Sequence, residues 1–221
     1  MSEQLGMRFT ATLQEMAESE ILGMVPPATL KRMRDKERHP LVKAFVVGHE
    51  GEAKGNMIGI GNVVKRWFKT MIHALGAKIS SGLQLFHGHA AGTNEHDGRS
   101  PVGEVVGKAV KQIDGRESVV VACHIFEPFK HLPLDVASVE MDVQYMKNKD
   151  GSVDICDIGS VTGIALGNSQ IERPGFPGAT LLGQLQAFEE SHRITTGHKP
   201  ALVLGFKAIN TIRLGRPEEE V

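Results

Sequence analysis

The chain has 221 residues, of which 41% are hydrophobic and 23% charged, and its formal net charge is -1. This length and composition are typical of a folded protein with a sizeable core, and the near-neutral charge gives no basic surface for nucleic acid or for a membrane. Two cysteines, Cys123 and Cys156, are too few for a disulfide framework and lack the CxxC spacing of a zinc site. No apolar run is long enough to predict a membrane-spanning helix, and the first ten residues contain no apolar signal sequence, so we expect neither membrane insertion nor secretion.

The first third of the chain predicts helices on either side of one strand. Apolar residues at helical spacing predict a helix over residues 10–22, and a highly charged segment predicts a second helix over 29–38. Residues 41–51 predict a strand that ends at glycines. Residues 61–76 have apolar residues near helical spacing again and predict a helix that is closed by Gly76.

From residue 82 onward the pattern predicts mostly strands. The Asp114-Gly115 pair predicts a tight hairpin, and residues 148–152 predict a second one. Both cysteines lie in apolar strands, and we expect both to be buried. The predicted strands cover residues 82–89, 101–113, 118–126, 132–143 and 153–166, and a helix is predicted over 179–193.

The strand over 132–143 alternates between two kinds of residue. Val136, Ser138, Glu140 and Asp142 share one face, and the residues between them are apolar. This pattern places Ser138 on an accessible face beside carboxylates. Most serines in strands have no chemical role, so the alternation alone favours a structural serine.

These elements predict an α+β fold with a mostly antiparallel, closed or barrel-like β core and flanking helices. Residues 1–39 are predicted to form a helical N-terminal arm, residues 40–190 the β-rich domain, and residues 191–221 a C-terminal segment.

Histidines in the FHGH segment are the candidate metal ligands or bases. His87 and His89 lie two residues apart, and His96 and Glu95 follow in a loop rich in glycine. No strict ligand spacing is met, so we predict no metal site. Imidazole is also the usual base for a serine nucleophile, and either His87 or His89 could activate Ser138 on a neighbouring strand. Glycine-rich stretches do not match a phosphate-binding loop, so no nucleotide cofactor is predicted.

Five segments taken in order resemble the prohead proteases of tailed bacteriophages, the serine proteases of capsid maturation, whose fold is similar to that of the herpesvirus assemblin. The resemblance covers about residues 40–190, and the order of the segments is more specific than any one of them. His89 precedes Ser138 by 49 residues, which is compatible with that family. The segments are FHGH (86–89), RSPVGEVVG (99–107), LDVASVEMDV (134–143), VTGIALGNS (161–169) and PGFPGA (174–179).

The resemblance implies that Ser138 is the nucleophile and that His89 is its base, with His87 as the alternate. The phage relatives tend to carry an acid in the strand that corresponds to VTGIAL, where this chain has Gly163. Asp157 is the acid that we favour as the third member, and Glu140 is the alternative.

The implied function is limited proteolysis inside an assembling prohead in the host cytoplasm. The substrates would be the major capsid protein, the scaffold protein and the protease itself, and the enzyme would need no cofactor. Residues 191–221 would be a linker toward a scaffold region, and a homo-oligomer is compatible with this role. The alternative from another class is a catalytically inactive scaffold or structural virion protein of the same fold.

Overall fold

A curled sheet that forms a half-barrel is the framework of the chain. The computed structural model describes residues 16–57, 60–88, 99–168, 176 and 179–186. These residues are mostly in strands, with few helices, which confirms the predicted α+β class. The elements are α1 (Glu18–Met24), α2 (Pro27–Lys36), β1 (Leu41–His49), β2 (Gly51–Met57), β3 (Gly61–Trp67), α3 (Lys69–Lys78), β4 (Gln84–His87), β5 (Gly103–Ile113), β6 (Arg116–Ile125), a 3₁₀ turn (Glu127–Phe129), β7 (Val136–Lys147), β8 (Val153–Gly167) and β9 (Leu181–Gln186).

The nine strands that the structure describes form one sheet in the order β2-β3-β8-β4-β5-β6-β1-β9, with β7 paired to β8. Among these strands, only the β3–β8 and β4–β8 pairs are parallel. The β5–β6 hairpin is confirmed, because Ile113 pairs with Arg116 across a two-residue turn. Asp114 and Gly115 in that turn have φ angles of 50° and 74°, the left-handed conformation that a tight hairpin requires.

The sheet buries apolar side chains on both of its faces. Its inner face packs on α3, through residues such as Ile72 and Leu75, and includes alternate residues of β1 and β6 such as Phe45 and Val121. Its outer face is covered over β1 and β6 by α1 and α2. All nine residues of β1 are therefore buried, although a half-exposed strand would alternate.

The two N-terminal helices share a core with the sheet. Ile21 of α1 and Met33 of α2 are 0% and 1% exposed and pack in the cluster that contains Val120 and Ala122 of β6. Burial of an aliphatic side chain of this size stabilises the fold by about 1.5–3 kcal/mol. These helices lie within the predicted N-terminal arm, of which residues 1–15 fall outside the described residues.

The helix predicted over residues 61–76 is wrong in its first half. Gly61–Trp67 forms β3, which pairs with β2 as a hairpin, and the helix α3 covers Lys69–Lys78. Val63 and Trp67 are the buried residues of β3 and lie four apart, a spacing that suits a helix as well as one face of a strand. Pairing with β2 decides between the two patterns.

The helix predicted over residues 179–193 is also wrong where the structure describes it. Leu181–Gln186 is the strand β9, which pairs antiparallel with β1. Leu181 packs against the inner cluster and its neighbour Leu182 belongs to the outer cluster, as successive residues of a strand do. Pairing with the edge of β1 therefore makes this segment a strand, although its sequence contains good helix formers. Residues 187–193 lie outside the described part of the chain.

Lys43 is a charged residue on the inner face of β1. Its side chain is buried, and its Nζ donates a hydrogen bond of 2.9 Å to the carbonyl of Leu134. Burial lowers the pKa of Lys43, and the nearby charge of Asp135 acts in the opposite direction. The folded state therefore loses this proton at a lower pH than the unfolded chain does.

The substitution Lys43→Met is expected to change how stability depends on pH. Between the lowered pKa of Lys43 and its ordinary value of 10.5, the unfolded wild type binds more protons than the folded wild type. The free energy of unfolding of the wild type should therefore rise with pH in this window, relative to that of the Lys43→Met variant. Urea denaturation of both proteins from neutral pH to this upper limit measures the difference, with Lys147→Met at an exposed position as control. A difference that stays constant with pH would contradict the assignment.

Candidate active site

Ser138 lies near the start of β7 on the outer face of the sheet. It pairs with Ala165 of β8, which pairs in turn with Phe86 of β4, so these three side chains project from the same face. Its neighbours Ala137 and Val139 contact the inner cluster. The predicted alternation around Ser138 is confirmed, although the strand covers Val136–Lys147 and not residues 132–143. Ser138 is half-buried and is held by a rigid element.

The FHGH segment ends β4 beside the same part of β8. The strand stops at His87, and Gly88 has a φ of 72°, so the two-residue alternation that would put His87 and His89 on one face ends there. His87 is exposed and pairs with Leu166, whose side chain faces the inner cluster, so its register assigns it to the face opposite to Ser138. His89, with Glu95 and His96, lies outside the described residues.

The backbone holds the end of β4 close to the register position of Ser138. The Gly88 amide donates a hydrogen bond of 2.9 Å to the carbonyl of Leu166, and Leu166 pairs with Ala137, the residue before Ser138. β4 and β7 flank β8, so two strand spacings, about 10 Å, separate the Cα atoms of Phe86 and Ser138.

Asp157 lies far from this region along β8. It pairs with Gln144, eight residues from Ala165 along the strand, which corresponds to about 26 Å at about 3.3 Å per residue. Its side chain is exposed, and its Oδ1 accepts a hydrogen bond of 2.8 Å from the amide of Ile158. The structure does not bring Asp157 and Ser138 together.

Glu140 projects from the same face as Ser138 and forms a two-point ion pair with Arg99. The Nη1 and Nη2 atoms of Arg99 donate to Oε1 and Oε2 of Glu140 at 3.2 and 2.9 Å, the paired geometry that makes arginine–carboxylate contacts strong. Both side chains are only 17% exposed. The guanidinium also lies 4.3 Å from the ring centre of Phe86, and its Nη1 donates to the carbonyl of Gly88 at 2.7 Å.

Gly163 leaves the space in which these side chains meet. It pairs with Glu140, and a Cβ atom at this position would lie 2.9 and 3.1 Å from two ring atoms of Phe86 and 3.4 Å from Oε2 of Glu140. An acid at position 163, which the resemblance leads one to expect, would therefore collide with Phe86. The carboxylate in this region comes from Glu140 on the paired strand instead.

Arg99 is the residue of this site whose role the sequence pattern does not predict. It is a single arginine before a Ser-Pro pair, and nothing in its local pattern indicates three partners on two other strands. The two cysteines also differ from each other: Cys123 is buried as predicted, and burial raises the pKa of its thiol. Cys156 was predicted to be buried and is exposed, because it follows the inward-facing Ile155 on β8 and points outward.

Comparisons with known proteins find no match, so the proposed function rests on this geometry. No protein-family model, curated protein or solved structure matches the chain. Within the described residues, no group of three or more histidine, cysteine or acidic side chains is arranged to hold a metal ion. None of the described helices is both long enough and apolar enough to cross a membrane.

The substitution Gly163→Ala is expected to lower the free energy of unfolding by about 1–3 kcal/mol, because the added methyl group overpacks a site bounded by the buried Phe86. Gly159→Ala on the same strand is the control, since its added Cβ would meet Cβ of the exposed Asp142 at 3.3 Å. The control is expected to lose less stability than Gly163→Ala, because its tightest contact is 3.3 Å and not 2.9 Å. Urea denaturation measures both. Equal stability of Gly163→Ala and the wild type would show that Phe86 does not confine this position.

Proposed function

We propose that this chain is a serine endopeptidase of phage capsid maturation, which cuts scaffold or capsid-protein segments and itself during prohead assembly. The observation that supports this proposal most is that Ser138 on β7 and the end of β4 align with adjacent residues of β8. Ser138 pairs with Ala165, and the amide that follows His87 binds the carbonyl of Leu166, the next residue. A nucleophile and a base from distant parts of the sequence would meet at this point.

In this proposal Ser138 attacks the carbonyl carbon of the scissile peptide, and His89 takes the hydroxyl proton. The same imidazole then gives this proton to the departing amine, and water hydrolyses the acyl-enzyme. We choose His89 because it follows the anchored Gly88, whereas His87 is assigned by its register to the opposite face.

Glu140 is the acid that we propose as the partner of the base. It lies two residues from Ser138 on the same face, and its carboxylate is held in place by Arg99. A carboxylate in this position would orient the imidazole and stabilise its protonated form. Asp157, the acid favoured by the sequence, lies about 26 Å along the strand and is the less suitable choice.

A closed β barrel is also part of the proposal. Val136 at the start of β7 forms an antiparallel bridge with Thr180, which leads into β9. Hydrogen bonds from Ala137 N to Ala179 O and from Leu181 N to Asp135 O, of 3.2 and 2.8 Å, flank this bridge. β9 pairs with β1, so these contacts join β7 to the edge of the sheet formed by β1 and β9, which supports closure. Residues 1–39 would be an arm on this barrel, and residues 191–221 a linker toward a scaffold region.

The expected setting follows from the resemblance. The protease would be made in the host cytoplasm and enclosed in the assembling prohead with its substrates, the major capsid and scaffold proteins. It would act without a cofactor, and as a homo-oligomer if the coat positions several copies together. Removal of the cut segments would make assembly irreversible.

A catalytically inactive scaffold or virion protein of the same fold is the second candidate. The glycine at position 163, where relatives tend to carry an acid, favours it. Both oxygens of Glu140 also accept hydrogen bonds from Arg99, which leaves this carboxylate less free for a histidine. The two candidates differ in whether Ser138 is needed for any cleavage.

The substitution Ser138→Ala is expected to abolish processing of the coat and scaffold proteins and of the chain itself. Loss of the nucleophile removes the acyl-enzyme route, and the residual rate should lie at least about a thousandfold below that of the wild type. Mass spectrometry of particles produced from the coat, scaffold and protease genes together measures each cleavage. Ser160→Ala, at an exposed serine on β8, is the matched control and should process normally. Unchanged processing by Ser138→Ala would favour the inactive scaffold protein.

A second experiment distinguishes the two candidate acids, Glu140 and Asp157. Glu140→Gln is expected to lower kcat by about a hundredfold or more, because an amide cannot stabilise the protonated imidazole. Asp157→Asn should stay within about twofold of the wild type, since Asp157 lies far from Ser138. Initial rates on a peptide that spans a mapped cleavage site measure both. The reverse order of effects would return the third role to Asp157.

A further inference from the structure

Arg99 joins two strands that do not pair with each other. Its guanidinium contacts the Phe86 ring and the Gly88 carbonyl at the end of β4, and the Glu140 carboxylate on β7. β8 separates these strands, so no backbone ladder fixes their distance directly. On β8, Gly163 has no side chain, and a Cβ there would lie 2.9 Å from the Phe86 ring and 3.4 Å from the Glu140 carboxylate, the two side chains that the guanidinium contacts.

We infer that Arg99 is a positioning residue of the active site, which fixes the end of β4 against Glu140, two residues from Ser138 on β7. This inference rests on the proposed function. Arg99 would act through Gly88 and Glu140, the groups to which it donates hydrogen bonds.

The geometry requires the planar fork of arginine and not only its charge. Nη1 donates to both Gly88 and Glu140, Nη2 donates to the second oxygen of Glu140, and the flat guanidinium lies over Phe86. A lysine carries the same charge at one point, so it can neither form the two-point pair nor cover the ring in this way. Arg99→Lys therefore separates a positioning role from a general electrostatic one.

Arg66 offers a matched control at the far end of the same sheet. Its guanidinium pairs with Asp150 at 2.6 Å and with Glu52 at 3.5 Å, and its side chain is 38% exposed. It pairs in register with Asp154 on β8, eleven residues from Ala165. Arg66→Lys repeats the same chemical change away from Ser138.

The test uses the full chain and a fluorophosphonate, which bonds covalently to an activated serine. The rate of labelling at Ser138 is measured against pH for the wild type, Arg99→Lys and Arg66→Lys. Hydrogen exchange at the Gly88 amide is measured in the same proteins. We expect Arg99→Lys to label at least about tenfold more slowly and to exchange Gly88 at least about tenfold faster, with Arg66→Lys unchanged in both. Labelling and exchange at wild-type rates in Arg99→Lys would overturn the inference.

Two further results complete the test. If Arg99→Lys does not fold, the double variant Arg99→Met with Glu140→Leu replaces the pair without leaving a buried charge, and it should fold while exchanging Gly88 faster. Exchange at the wild-type rate in that variant would overturn the inference. Absence of labelling in the wild type would overturn the proposed function. In that case faster Gly88 exchange in Arg99→Lys still supports Arg99 as the residue that holds the end of β4, and unchanged exchange overturns this as well.

Discussion

The pairing of β7 with β8 determines where Ser138 and Glu140 of the candidate active site lie. β7 occupies one edge of β8 along most of its length, so β3 and β4 share the other edge at its two ends. This register sets Ser138 and Glu140 on the outer face, opposite Ala165 and Gly163. A slip of one residue would turn Ser138 into the core in place of Ala137. The inner face prevents such a slip, because Ala137, Ile164 and Leu166 are all buried there.

The outer face over β8 depends on the largely buried ion pair between Arg99 and Glu140. Taking Arg99 and Glu140 out of water is costly, and breaking such a pair on one side costs about 3–5 kcal/mol, because it leaves an uncompensated charge. The two-point geometry and the Phe86 ring offset the desolvation of the guanidinium. Gly163 leaves room for the Phe86 ring and the Glu140 carboxylate. The same packing therefore explains why position 163 is a glycine and not the expected acid, and why the carboxylate comes from Glu140. In the proposed protease, Glu140 would take over the role of that acid.

The sequence predicts the parts of this fold that depend on local pattern. Alternation identified β7 around Ser138, and Asp114-Gly115 identified the β5–β6 turn, because only a few residue types adopt its backbone conformation. Local pattern alone gives the wrong element at β3 and β9, where pairing with β2 and β1 decides between a helix and a strand. Arg99 could not be found from the sequence, because its contacts join residues 86, 88 and 140 through tertiary structure alone. The position of His89 relative to Ser138 depends on residues 89–98, which lie outside the described part of the chain.

The distance from Ser138 Oγ to the nearer ring nitrogen of His89 tests the central claim most directly. A crystal structure of the wild-type chain with a phosphonate bound would measure it with the site occupied. The account predicts that Ser138 carries the phosphonate and that a ring nitrogen of His89 lies within about 3.5 Å of Oγ, on the face of the sheet that holds Glu140. An imidazole on the opposite face, or more than about 6 Å from Oγ with no other histidine in its place, would contradict the proposal that this chain is a serine protease.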